Sequence, residues 1–143
     1  MRGISGHLAY LWFLVVVGIV ATLYASLTGQ LVVLAAVWPI SIFAKNFAPT
    51  VMFSLAHGAV YAAPVTLVVL PIAGWFLKYR PSRALIILPL IGTVSGIAVM
   101  WCWINFSVLP YGGVGDTYLM LAGLFGGLVA GAFFGHSVYR VAQ

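Results

Sequence analysis

Apolar residues fill four long stretches of this chain, and most polar residues collect in the short segments between them. The stretches cover residues 8–28, 50–77, 84–106 and 117–139. A hydrocarbon layer about 30 Å thick needs about 20 apolar residues in a helix. No alternation of apolar and polar positions indicates a strand, and a helix satisfies its own backbone hydrogen bonds in lipid. The pattern therefore predicts an all-α membrane protein with four transmembrane helices.

A shorter apolar segment, residues 30–46, follows the first span and is interrupted by Pro39. Its roughly 14 apolar residues are too few to cross a bilayer comfortably. If the segment does not cross, both chain ends and the 78–83 loop lie on one side of the membrane. That side then carries five basic residues, namely Arg2, Lys78, Arg80, Arg83 and Arg140. Because basic residues mark the cytoplasmic side, both termini are predicted to be cytoplasmic, and 30–46 to be an extra interfacial or re-entrant helix between the first and second spans.

Composition supports the membrane class and limits the partners. The 143 residues are 64% hydrophobic and 5% charged, whereas a soluble domain has about 25% charged residues. We predict one integral membrane domain, 1–143, in a bacterial inner membrane. The basic residues form no stripe, so no nucleic-acid partner is expected. Lys78, Arg80 and Arg83 are expected to contact anionic lipid headgroups.

Glycine recurs at every fourth position of the last span, at Gly123, Gly127, Gly131 and Gly135. In lipid, small residues at this spacing allow two helix backbones to approach closely. Gly92 and Gly96 in the third span have the same spacing, so all six are predicted helix-packing residues. Packing within one bundle, contact with a copy of the chain or another subunit, and a pore lined by glycine remain open.

Candidate chemistry is sparse. No Asp, Glu, Lys or Arg lies within the four predicted spans, although such residues usually mark intramembrane function. His57 is titratable and well inside a span, so it is a candidate ligand or gate residue. His7 and His136 share a level and could hold a haem, but three histidines and Cys102 match no metal-ligand spacing. No metal, cofactor or catalytic residue is predicted.

The main functional hypothesis is a non-catalytic subunit or oligomer-forming component of an inner-membrane complex, packed through the glycine groove. Its expected partners are membrane lipids and either other subunits or copies of itself. One alternative is a small oligomeric channel or carrier for a small solute, with His57 and the segment around Pro39 as an outer gate. Another is a quinone- or haem-associated membrane subunit.

Overall fold

The computed structural model describes residues 4–37, 55–106 and 116–142, and within these ranges the chain is helical, with no strand. Four helices in this part are long and apolar enough to cross a membrane. They are α1 (Ile4–Val37), α2 (Leu55–Leu77), α3 (Pro81–Phe106) and α4 (Asp116–Val141). The prediction of an all-helical protein with four long apolar helices is confirmed at this level.

The structure differs from the sequence prediction where the first span ends. We predicted an end near residue 28 and a separate helix over 30–46, but α1 continues without a break to Val37. Residues 31–37 are apolar and contain no glycine or proline, and the first strong barrier is Pro39, which disfavours helical geometry in the residue before it. Residues 38–46, and residues 50–54 of the predicted second span, lie outside the described residues.

Neighbouring helices run antiparallel, which defines two ends of the bundle. We call the end that holds the start of α1 and the end of α4 the proximal end, and the opposite end the distal end. The short α2–α3 connection is also proximal, and there the Arg80 N–H donates to the Leu77 carbonyl at 2.9 Å. Lys78, Arg80, Arg83 and Arg140 therefore lie together at the proximal end.

Large apolar side chains fill the proximal half of the bundle. The largest apolar side chains that are fully buried are Phe134, Leu14, Leu70, Leu88 and Val138. Each lies within about 15 Å of the proximal end by helical rise. All four helices contribute to this core, which is a closely packed layer.

The second helix contains one π-helical turn, Val65–Val69. The Leu70 N–H donates to the Val65 carbonyl, five residues back, and Pro71 has no N–H to give. The carbonyl of Thr66 therefore loses both donors that would regularly reach it along the helix. It lies against Gly18 of α1, where an added Cβ would be only 2.6 Å from that oxygen. The π turn thus lies at a close backbone contact between α1 and α2.

Candidate functional site

Helices α3 and α4 meet backbone to backbone through the predicted glycines. A Cβ on Gly92 would lie deep inside contact distance of the Gly127 carbonyl oxygen, and the reverse substitution meets the Gly92 oxygen equally closely. Gly96 and Gly123 form the next such pair. The structure thus places the glycine face of α4 against α3 of the same chain.

The same register continues toward the proximal end. Gly131 lies against Leu88, and Gly135 lies against Ala84, where an added Cβ would be 2.6 Å from the carbonyl oxygen. The two helices thus stay in close contact for a little over three turns, about 18 Å by helical rise. Cα–H groups facing carbonyl oxygens are a recurring contact at such interfaces.

A second small-residue face of α4 packs against α1. Gly126 lies opposite Ala25, whose carbonyl oxygen would be 2.9 Å from an added Cβ, and Ala122 lies opposite Gly29. Sequence analysis missed this face, because it considered only the repeat that begins at Gly123. In the distal half, the buried surface of α4 consequently carries no side chain larger than a methyl group.

A cavity of about 90 Å³ lies in this distal half, and we call it the distal cavity. On α2 it extends from Thr66 to Gly58, which is about 12 Å along the helix axis by helical rise. Its proximal end is lined by Val65, Thr66 and Ala130. All four helices line it, through residues that include Ala25, Ser26, Tyr61, Thr66, Val99 and Gly126.

Polar groups of α1 and α2 form one wall of the distal cavity. Ser26 Oγ donates to the Leu55 carbonyl at 2.7 Å. Thr66 Oγ1 lies 3.0 Å from the Ala62 carbonyl oxygen and 2.5 Å from Thr22 Oγ1. Gln30 and Tyr61 also line the cavity, and none of the described lining residues is charged. The wall is therefore neutral and contains hydroxyl groups.

The histidines lie apart from this cavity. His57 is exposed on α2, with its ring centroid 6.2 Å from that of Tyr61, and it is not part of the described lining. His7 packs against Trp75 at 5.7 Å between ring centroids, and His136 is exposed. Within the described ranges, no group of three or more His, Cys, Asp or Glu side chains could hold a metal ion.

One predicted headgroup residue, Lys78, lies over an aromatic cluster at the proximal end. Lys78 Nζ lies 3.8 Å from the Trp75 ring centroid and 4.8 Å from that of Tyr79. A cation over an aromatic face is attracted by the ring quadrupole, and Trp and Tyr favour the membrane–water interface. Arg80 and Arg83 are exposed at the same end. The Lys78 cluster thus has the composition of an interfacial anchor.

The distal cavity is the feature of the described structure that best combines enclosed volume with polar groups. Comparison with known proteins gives no family model, no curated relative and no solved structure that matches this chain.

Proposed function

We propose that this chain is a non-catalytic integral membrane protein that takes a small solute into the distal cavity, as a carrier or channel component. The observation that carries the proposal is the contrast between the two halves of the bundle. The proximal half is filled by large side chains, whereas the distal half contains a cavity of about 90 Å³ beside buried hydroxyls. Ligand sites in helical bundles have this composition, a mostly apolar wall with a few placed polar groups.

The distribution of basic residues supports one orientation of the protein in the membrane. Four basic residues lie at the proximal end, so this end faces the cytoplasm under the positive-inside rule. The distal cavity then lies in the outer half of the membrane, and both termini are cytoplasmic. A bacterial inner membrane suits this arrangement, with the Trp75 cluster at the inner headgroup level.

Cysteine labelling tests whether the distal cavity admits solutes. In a Cys102→Ser background, cysteine would be introduced at Ala62 and Ala122, which line the cavity. Matched controls are Val60→Cys, on the same helix as Ala62 and 67% exposed, and Leu128→Cys on α4. A cysteine reacts as its thiolate, which forms readily only in contact with water. A small water-soluble thiol reagent should therefore label the two cavity positions in proteoliposomes and leave the two control positions unlabelled. Unlabelled cavity cysteines, or labelling equal to that of Val60→Cys, would refute the proposal.

A second candidate is the component of a membrane assembly. The six predicted packing glycines contact residues of this chain, so a partner would meet another surface. His57 favours such a surface, because it is an exposed titratable side chain on a helix apolar enough to cross a membrane. A photo-crosslinker at position 57 should capture a discrete membrane protein, and the same group at Val60 should capture mainly lipid. Identical products at both positions would count against a partner at His57.

The quinone- or haem-associated alternative has a direct test. A haem held by His7 and His136 would give the purified protein a Soret band that is lost when either histidine is replaced by alanine. A preparation from native membranes with no such band removes the haem version.

A further inference from the structure

The hydroxyl groups of Thr22 and Thr66, beside the distal cavity, have one proton each to donate in hydrogen bonds. Thr22 Oγ1 lies 2.9 Å from the Gly18 carbonyl oxygen, and Thr66 Oγ1 lies 3.0 Å from that of Ala62. The two hydroxyls also lie within hydrogen-bond distance of each other. These three contacts require three protons, but two hydroxyls supply only two. Every proton of the Thr22–Thr66 pair is therefore used inside the protein, whichever way the hydroxyls rotate.

Ser26 is in the same situation. Its one hydroxyl proton goes to the Leu55 carbonyl at 2.7 Å, and its side chain is only 3% exposed. Lone pairs on Ser26 Oγ and Thr66 Oγ1 stay available, since a hydroxyl oxygen has two acceptor sites. At the Ser26–Thr66 wall, these two hydroxyls consequently offer only acceptors to a ligand, and the donor-bearing side chains of the described lining are Gln30 and Tyr61, which also line the cavity.

The lack of charge in the described lining and the volume of the cavity limit the class of ligand further. A charged molecule would lose its hydration in the cavity and meet no opposite charge among the described lining residues, which is very costly. A cavity of about 150 Å³ accommodates benzene, so about 90 Å³ suits roughly four non-hydrogen atoms. Glycine and alanine form most of the opposite wall and leave room for a small apolar body.

We infer that the ligand of the distal cavity is a small neutral molecule that donates a hydrogen bond to Ser26 Oγ or Thr66 Oγ1. Small alcohols, amides and uncharged amines belong to this class. The inference rests on the proposed function, because it names the class of solute that the cavity takes.

Four probe molecules of similar size separate the relevant properties. 2-Propanol and urea are neutral donors, acetone is neutral but only accepts hydrogen bonds, and guanidinium donates but is charged. Each would be added to Ala122→Cys protein in proteoliposomes, and the rate of thiol labelling measured. 2-Propanol and urea should slow labelling at concentrations where acetone and guanidinium do not, because only they combine neutrality with a donor.

Substitutions in the wall provide a second measurement. 2-Propanol has one O–H and donates to one of the two acceptors, so either Ser26→Ala or Thr66→Val should weaken its protection about fivefold, the typical worth of one neutral hydrogen bond. Thr93→Val is the matched control, since Thr93 Oγ1 donates to the Pro89 carbonyl of its own helix and is not part of the described lining. Protection in this control should be unchanged.

The outcomes separate the two proposals. If the cavity cysteine is labelled but acetone protects as well as 2-propanol, or guanidinium as well as urea, the donor inference is wrong and the solute site remains. If the cysteine is not labelled at all, both proposals fail. The comparison of probes uses the unaltered Ser26 and Thr66, so it stands even if their variants fold poorly.

Discussion

Replacing Gly127 by alanine is expected to destabilise the protein, although alanine is the better helix former. An alanine Cβ would lie far inside contact distance of the Gly92 carbonyl oxygen, and 3.2 Å from the backbone nitrogen of Thr93. Both neighbours are backbone atoms of α3, and neither can rotate away. The two helices would have to separate along the glycine pairs on either side.

The magnitude follows from two opposing terms. Helix propensity favours alanine over glycine by about 1 kcal/mol. Overpacking of a closely packed interior costs typically about 1–3 kcal/mol, and more where backbone must shift. Here backbone must shift, so we expect a net loss of about 1–2 kcal/mol in the free energy of unfolding.

Gly29→Ala is the matched control for this prediction. Gly29 is in the interior of α1, and its added Cβ would meet Ala122 at 3.6–3.7 Å, which is ordinary van der Waals contact. The propensity gain should then act alone, and stability should stay equal or rise by up to about 1 kcal/mol. Reversible unfolding in mixed micelles, followed by circular dichroism, measures both variants. If Gly127→Ala is as stable as Gly29→Ala, the α3–α4 backbone contact does not exist as described.

Three further experiments test other parts of the fold. Phe134→Ala should cost about 3–5 kcal/mol in the same unfolding assay because it empties the proximal core, whereas the exposed Phe125→Ala should change stability by less than about 0.5 kcal/mol; similar losses would contradict the division into two halves. A double-mutant cycle of Thr22→Val and Thr66→Val should give a coupling of about 0.6 kcal/mol, the average for hydrogen bonds between membrane helices, and additive losses would show that the two hydroxyls do not interact. Pro71→Ala restores an N–H at the π turn and should change the distance between spin labels at the two ends of α2, whereas an unchanged distance would mean that packing alone holds the π turn.

The glycine spacing in the last span anticipates close packing but not its partner. Small residues four apart also occur in the first span at Gly18, Thr22 and Ser26, so several pairings satisfy the spacing equally. The selection of α3 depends on Ala84 and Leu88, which extend its contact row beyond Gly92 and Gly96. The packing partner of α4 is therefore determined by all the residues along the contact, and one glycine motif does not predict it.

The distal cavity has a sequence signal that is recognisable once the fold is known. Small residues come in adjacent pairs every four positions of α4: Ala122–Gly123, Gly126–Gly127 and Ala130–Gly131. The second member of each pair faces α3, and the first is buried on another side. In the next pair, Phe134–Gly135, the first member is large and fills the core. The cavity ends where phenylalanine replaces a small residue.

The π turn and the length of α1 depend on information that periodicity does not carry. Pro71 predicts a missing donor in α2, but a kink, a break and a π turn all accommodate it. At the end of α1, hydrophobicity alone suggested a boundary near Gly29. The glycine there serves contact with Ala122, and the helix continues past it.

Glycines repeated every fourth position on both α3 and α4 make their alignment degenerate. Sliding α4 by four residues, about 6 Å, would set Gly92 opposite Gly131 and Gly96 opposite Gly127, so two glycine pairs would survive. The same slip would bring Ala84 opposite Tyr139 in place of Gly135, and the helix ends could no longer approach. The register of α3 and α4 is therefore set by the residues at the proximal end of their contact. The glycine pairs in the middle of the contact would accept either register.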